Sequence, residues 1–113
     1  MSPERVCAAA DLPVGSVVAA QVNGVDVAVV HCEEGFFAVH DECSHGAVPL
    51  SEGEVDGCHL ECYLHGSRFD LMTGIPDQLP ATEPITTYPV LVAGDDLFVD
   101  VDRPNRTTLE NNA

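Results

Sequence analysis

The chain has 113 residues, of which 45% are hydrophobic and 20% are charged. This length and composition predict one globular domain built around a single core, with no room for a second domain. Nineteen acidic residues face four arginines and no lysine, which gives a formal net charge of -15. So acidic a chain is a poor binder of nucleic acid and of anionic membranes, and it favours partners with basic surfaces.

The chain shows no sign of export or membrane insertion. Its apolar runs are shorter than the roughly 20 residues of a membrane-spanning helix, and its start, MSPERVCAAADLP, lacks the basic and apolar segments of a signal peptide. We therefore expect a cytoplasmic protein with no membrane contact. The cysteines number five. Because the cytoplasm is reducing and the count is odd, we expect metal binding and no disulfide framework.

The first forty residues have the pattern of a β-meander. Apolar-rich runs at residues 16–22, 25–32 and 36–40 are separated by turn residues, and the first turn is Asn23-Gly24. Asn-Gly between two apolar runs predicts a tight hairpin. In the second run the side chains alternate with a period of two, as in a strand. One face carries Val25, Val27, Val29 and His31, and the other carries Asp26, Ala28, Val30 and Cys32.

A second strand region lies near the end of the chain. Residues 86–93 and 97–101 form two runs with a turn at 94–96, and Pro89 in the first run predicts an edge strand. No segment keeps a period of 3.6, so we predict an all-β protein with at most a short helical turn near residues 10–12. Residues 103–113 are too polar to pack, and we expect a frayed tail there.

Cysteine and histidine concentrate in one window. Residues 43–65 read CSHGAVPLSEGEVDGCHLECYLH, in which Cys43 and His45 form C-x-H and Cys62 and His65 form C-x-x-H. These four side chains could hold one tetrahedral zinc ion, but zinc sites usually take a cysteine pair from one element and a histidine pair from another. Each of the two motifs here contains one cysteine and one histidine. This arrangement suits a two-iron cluster, to which each loop gives a cysteine for one iron and a histidine for the other.

The two motifs, the stretch LSEGEVDG between them and the later segment LPATEPITTYPV resemble the sequence of Rieske ferredoxins. The resemblance implies a Rieske fold, with an antiparallel β sandwich or barrel-like base domain and an inserted, smaller, loop-rich subdomain that binds the cluster. We expect the domain to span residues 1–102 and the subdomain about residues 41–83.

The same resemblance implies one Rieske-type [2Fe-2S] cluster and a set of ligands. Cys43 and Cys62 would bind the inner iron, and His45 and His65 the outer iron. No role is assigned to Cys7, Cys32, Cys58, His59, His31 or His40.

Two neighbours of the second motif bear on the reduction potential. Ser67 stands where the membrane-complex Rieske proteins of the family have a hydroxyl that donates to the cluster, but Phe69 occupies the place of their second donor, a tyrosine. Fewer such hydrogen bonds and many nearby acids oppose reduction, so we predict a potential of about -150 mV, at the low end for Rieske centres. Arg68 either anchors the second loop through an acid such as Asp70 or is a plain surface charge.

The resemblance implies an electron-transfer function. The chain is similar to the ferredoxin component of bacterial aromatic ring-hydroxylating dioxygenases, which carries single electrons from an NAD(P)H-dependent flavin reductase to a terminal oxygenase. We expect a monomeric carrier that is not itself an enzyme and that docks on basic surfaces of these two partners. Two alternatives are a Rieske subunit of another system, such as a nitrite reductase small subunit, and a zinc-stapled binding module. A carrier does not touch the aromatic substrate, so the substrate cannot be read from its sequence.

Overall fold

The computed structural model describes residues 3–43, 48–63, 66–77, 83–102 and 104–105. These residues form β-strands and two short 3₁₀ helices, and they contain no α-helix, which confirms the prediction of an all-β protein. The strands are β1 (Glu4–Ala8), β2 (Ser16–Val22), β3 (Val25–Cys32), β4 (Gly35–His40), β5 (Glu54–Asp56), β6 (His59–Glu61), β7 (Arg68–Asp70), β8 (Thr87–Tyr88), β9 (Val90–Ala93) and β10 (Asp96–Val99). The 3₁₀ helices are η1 (Ala9–Asp11), near the predicted helical turn, and η2 (Leu50–Glu52).

The strands form three antiparallel sheets. Two of them, with strand orders β1-β10-β9 and β2-β3-β4-β8, are called the base sheets here. The third, β5-β6-β7, lies between β4 and β8 in the chain and is called the insert sheet. Across these stretches of chain, no helix is long and apolar enough to span a membrane.

The first hairpin follows its sequence signal closely. Strands β2 and β3 pair from Ser16 opposite His31 to Val22 opposite Val25, so the connection has two residues. Those residues, Asn23 and Gly24, have φ values of 50° and 83°. Positive φ at both central positions is the backbone geometry that makes Asn-Gly favourable in two-residue hairpins. The predicted hairpin is therefore confirmed.

Strand β3 is buried on both of its faces, and it separates two cores. Val27, Ala28, Val29 and Val30 all have 0% of their surface exposed. The base core comprises Leu12, Val22, Val27, Val29, Ala38, Tyr88, Leu97 and Val99. The insert-side core comprises Ala28, Val30, Val39, Cys43, Leu50, Leu60, Cys62, Phe69, Leu71 and Ile85. The expectation of a single core is therefore wrong, because alternate side chains of β3 enter different cores.

The final strand region differs from its prediction at Pro89. The run at residues 86–93 is divided into β8 and β9, which belong to different base sheets. Proline has no backbone N–H, so the ladder ends there, and β9 is an edge strand as predicted. Most of the expected frayed tail, residues 103 and 106–113, lies outside the described residues. Asn105 is described, and its N–H donates to the Thr87 carbonyl at 2.7 Å.

The segment predicted as loop-rich carries the insert sheet. Its strands have three residues each. Such short strands are below the length at which a period of two becomes recognisable. Side chains at their middle positions are buried where they face the insert-side core, including Leu60 and Phe69 at 0% exposure. The limits of the cluster-binding subdomain, about residues 41 and 83, stay a prediction.

One disulfide joins the base to the insert sheet. Cys32, the last residue of β3, bonds to Cys58 in the β5–β6 turn, with an S–S distance of 2.10 Å and a Cα–Cα distance of 5.3 Å. The expectation that the cysteines would not form disulfides is therefore wrong for this pair. The two residues are 26 positions apart, and only the packing of the insert on β3 brings them together.

Candidate metal centre

Two loops with the same closure carry the predicted cysteines. The Cys43 N–H donates to the Val48 carbonyl at 3.0 Å, and the Cys62 N–H donates to the Ser67 carbonyl at 2.7 Å. Each cysteine therefore begins a loop that is closed by the residue five positions later. The second loop has a further bond inside it, from the Gly66 N–H to the Cys62 carbonyl at 3.0 Å.

Both cysteines face the insert-side core. Cys43 is 3% exposed and Cys62 is 2% exposed, and neither takes part in a disulfide. The fold thus brings two buried thiols from separate loops into one apolar site. Thiolates are the standard ligands of iron–sulfur clusters, so this pair fits the inner iron of a [2Fe-2S] group.

The other two predicted ligands, His45 and His65, lie outside the described residues. Among the residues that are described, no group of three or more metal-capable side chains occurs. The set of four ligands therefore stays a prediction. The structure shows that its two cysteines, Cys43 and Cys62, share the insert-side core. Cys58 is engaged in the disulfide and His59 Nε2 lies 3.1 Å from Asp77 Oδ2.

An aspartate holds the base of the first loop. The Asp41 carboxylate accepts hydrogen bonds from the Ser51 N–H at 2.7 Å and from the Ser51 hydroxyl at 2.6 Å. Asp41 precedes Cys43, and Ser51 lies in η2, so these bonds clamp the two ends of the loop. Sequence reasoning missed this pair, whose members are ten positions apart in the chain.

The second loop is held by an ion-pair network around Arg68. Its guanidinium lies 3.1 Å from Asp77 Oδ1 and 3.2 Å from Asp56 Oδ2. Of the two alternatives for Arg68, these contacts favour an anchor of the second loop, with Asp77 and Asp56 as the acids in place of Asp70. The Asp70 carboxylate accepts the Met72 N–H at 2.8 Å. The hydrogen bond from Arg68 lowers the pKa of Asp77, and the same bond raises the pKa of Arg68.

Replacing Asp77 with asparagine should make the stability of the protein less sensitive to acid. The pKa of Asp77 lies below its ordinary value of 3.8, so its stabilising effect is complete above that value and is lost as the pH falls through the lower, folded-state pKa. The melting temperature of the wild type should fall more steeply than that of Asp77→Asn as the pH is lowered from about 4 through the folded-state pKa of Asp77.

The control for this prediction is Asp95→Asn, in the exposed β9–β10 turn. It makes the same chemical change away from Arg68, so its acid profile should match the wild type. Identical profiles for all three proteins would contradict a role for the Arg68 network in holding the insert.

The residues that neighbour the second motif are buried. Ser67 is 1% exposed and Phe69 is 0% exposed. Phe69 lies opposite Leu60 in the insert sheet and forms a bridge with Pro76. At the position where the sequence predicted a missing hydroxyl donor, the structure thus holds the purely apolar ring of Phe69. This agrees with the reasoning behind a low potential, and the value itself stays a prediction.

An acidic groove lies over Cys62. Its volume is about 280 Å³. Its lining consists of Glu52, Glu54, Glu61, Cys62, Tyr63 and Gly66. The Tyr63 side chain is 52% exposed, and Glu52 and Glu54 are also exposed. The surface nearest one predicted ligand therefore combines an aromatic ring with three carboxylates.

Comparisons with known proteins agree with this geometry. The family model described as Rieske [2Fe-2S] domain matches residues 2–89. The chain is 43% identical over 96 residues to the 3-phenylpropionate/cinnamic acid dioxygenase ferredoxin subunit of Shigella boydii serotype 4 (strain Sb227), covering 84% of this chain and 90% of that protein.

Solved structures show the same likeness. The ferredoxin of carbazole 1,9a-dioxygenase from Nocardioides aromaticivorans IC177 is 35% identical with a TM-score of 0.84, covering 88% of this chain and 97% of that chain. A chain in the complex of reduced oxygenase and oxidized ferredoxin in carbazole 1,9a-dioxygenase is 36% identical with a TM-score of 0.80. The match covers 85% of this chain and 99% of that chain.

Each of these matches extends over most of the chain, from the base sheets through both cysteine loops. The cofactor that the matching model describes is a Rieske-type [2Fe-2S] cluster. This cofactor replaces the alternative of a single structural zinc. The chain belongs to the Rieske [2Fe-2S] domain family.

Proposed function

We propose that this protein is the ferredoxin component of a bacterial aromatic ring-hydroxylating dioxygenase. It carries single electrons from an NAD(P)H-dependent flavin reductase to a terminal oxygenase. The observation that carries the proposal is the pair of hydrogen-bonded loops that begin at Cys43 and Cys62 and share one core. The relatives named above support it, because they are ferredoxins of dioxygenases and the match to this chain extends over nearly their whole length.

The proposed ligands are Cys43 and Cys62 for one iron and His45 and His65 for the other. When bound, the cluster supplies a site that stores one electron. The chain itself keeps water from the two sulfur ligands by burying them, and it holds both loops in place through their own backbone hydrogen bonds. The carrier performs no catalysis on the aromatic substrate, which belongs to the oxygenase.

The acidic groove is proposed as part of the surface that docks on both partners. Its carboxylates would attract basic surfaces before contact, and Tyr63 would supply apolar area at the contact itself. A carrier must bind and release two partners in turn, and electrostatic attraction gives fast association without tight binding. We also propose a monomer that acts in the cytoplasm, where the nicotinamide cofactor of the reductase is available.

The test of the function begins with iron content and the electron paramagnetic resonance spectrum of the reduced protein. We expect about two irons per chain and a Rieske-type signal. The loaded protein is then mixed with NADH and the purified reductase and oxygenase of the 3-phenylpropionate system. Reduction of the cluster by the reductase and substrate-dependent oxygen uptake are the expected results. A protein with the cluster that neither reductase nor oxygenase can use would refute the dioxygenase role.

Neutralising the groove should weaken docking on these partners. In the variant Glu52→Gln/Glu54→Gln/Glu61→Gln, we expect the KM of the oxygenase for the ferredoxin to rise about tenfold at low salt, because three carboxylates near the contact are lost. The reduction in affinity should shrink as salt is added. The measurement is the rate of oxygen uptake as a function of ferredoxin concentration at several ionic strengths.

A matched control removes the same charge elsewhere. Glu33→Gln/Glu34→Gln/Asp95→Asn alters three exposed acids in the β3–β4 and β9–β10 turns. Both variants have the same net charge, so a general steering effect would lower their activities equally. Equal KM values in the two variants would refute the groove as the docking surface.

A further inference from the structure

The disulfide and the second cysteine loop lie at opposite ends of strand β6. Strand β6 has Cys58 just before its first residue and Cys62 just after its last. The Cys58 carbonyl also accepts the N–H of Leu71, the residue after β7, at 2.9 Å. Cys58 is therefore bonded both to β3, through the disulfide, and to the end of β7. The insert sheet is therefore joined to β3 by a covalent bond at one end, and it carries a predicted iron ligand at the other.

The two residues of the disulfide differ in exposure. Cys32 is 2% exposed. It is the last residue of β3, a strand that is buried on both faces. Cys58 lies in a turn and is partly exposed. We therefore expect a thiolate from solvent to attack at Cys58 and not at Cys32. Since the departing Cys32 thiolate would form in an apolar site, its release is unfavourable and exchange is slow.

We propose that Cys32 and Cys58 form a second, two-electron redox site that staples the insert sheet to the base and is opened by dithiol reductants. A reductant thiolate attacks Cys58 Sγ, the Cys32–Cys58 bond breaks, and the Cys32 thiolate takes up a proton. The second thiol of the reductant then displaces Cys58, which also becomes a thiol, and the reductant leaves as a disulfide. The reductant loses two electrons, and the protein gains two electrons and two protons.

Opening this site removes the covalent cross-link between the insert sheet and β3. The cysteine loops keep their own hydrogen bonds, the Asp41–Ser51 bonds and the Arg68 ion pairs. They lose the covalent link between the insert sheet and β3, so the cluster is lost faster. The slow exchange explains how the disulfide persists in a reducing compartment, where most accessible disulfides do not. The proposal does not depend on the identity of the electron-transfer partners.

The first test counts thiols in the protein as isolated. Iron is removed without oxygen, and the protein is unfolded, alkylated with iodoacetamide and cut after glutamate. We expect alkylation of Cys7, Cys43 and Cys62, and recovery of Cys32 linked to Cys58. After prolonged dithiothreitol treatment of the folded protein, all five should be alkylated. Five alkylated cysteines without reductant, or a different linked pair, would overturn the proposal.

The second test measures the lifetime of the cluster. Visible absorbance of Cys32→Ala/Cys58→Ala at raised temperature should decay about tenfold faster than that of the wild type, because one constraint on the insert is gone. Wild type that has been reduced with dithiothreitol should match the double variant. Reduced wild type is also compared with untreated wild type, and that comparison stands even if the variant assembles poorly. Cys7→Ala, which removes a cysteine outside both sites, should match the untreated wild type.

Dithiothreitol should have no further effect on the cluster of the double variant, since its only target there is missing. A reductant effect of equal size in the double variant would show direct attack on the cluster, and it would refute the staple. An unchanged lifetime in the reduced wild type would refute it as well.

Discussion

Replacing Cys62 with alanine should give a colourless protein that retains less than about a tenth of its two irons per chain. Cys62 is 2% exposed and lies in the same core as Cys43. Alanine has no donor atom, and no described cysteine beside these two is both buried in that core and outside a disulfide. Cys43→Ala should have the same effect. Iron analysis and visible absorbance of the purified variants give the result.

The loss should be specific to the proposed ligands. Cys7→Ala removes a partly buried cysteine beside the base core and should keep both irons and the full spectrum. Circular dichroism separates loss of the cluster from loss of the fold, because the base sheets do not contain Cys62. A coloured Cys62→Ala protein with two irons and an unaltered spectrum would refute the ligand assignment.

Replacing Gly53 with alanine should destabilise the insert strongly. Gly53 joins η2 to β5, and a Cβ built there would overlap the backbone carbonyl oxygen of Glu61. Glu61 is the last residue of β6 and directly precedes Cys62, so the backbone shift that relieves the overlap displaces the second cysteine loop. We expect a loss of about 3 kcal/mol in stability. The melting temperature should fall by roughly 10–20 °C.

The matched control is Gly57→Ala, in the β5–β6 turn of the same sheet. Gly57 has a φ of 60° and no atom within 4 Å of a built Cβ. Alanine there meets only the backbone cost of a left-handed conformation, about 1 kcal/mol. Thermal unfolding followed by circular dichroism and by cluster absorbance compares the two. A Gly53→Ala protein as stable as Gly57→Ala would show that β5 can move away from β6 without cost.

The base could be predicted from sequence because its signals are local. Asn23-Gly24 determines a hairpin register through its own backbone preference, and the eight residues of β3 are enough for a period of two to indicate a strand. The insert sheet could not be predicted in this way. Its three-residue strands form only because their middle side chains are covered by the insert-side core, which depends on residues far away in the chain.

The candidate site likewise has a part that the sequence predicts and a part that it does not. The spacing of Cys43, His45, Cys62 and His65 predicted a cluster because ligand order along the chain reflects two facing loops. The side chains that hold those loops were not predictable: Asp41 with Ser51, and Arg68 with Asp77. Each of these pairs joins residues that are nine or ten positions apart, a distance at which no helical or strand period relates two side chains. The Cys32–Cys58 bond is the extreme case.

The burial of β3 on both faces has a consequence for cooperativity. Its backbone pairs with β2 and β4 along most of its length, while its side chains contribute to both cores. Neither core can open to solvent without exposing side chains of this one strand, and exposing them also breaks the ladder that supports the other core. The base and the insert should therefore unfold as one unit, in which β3 is the last strand to exchange its amide hydrogens with solvent.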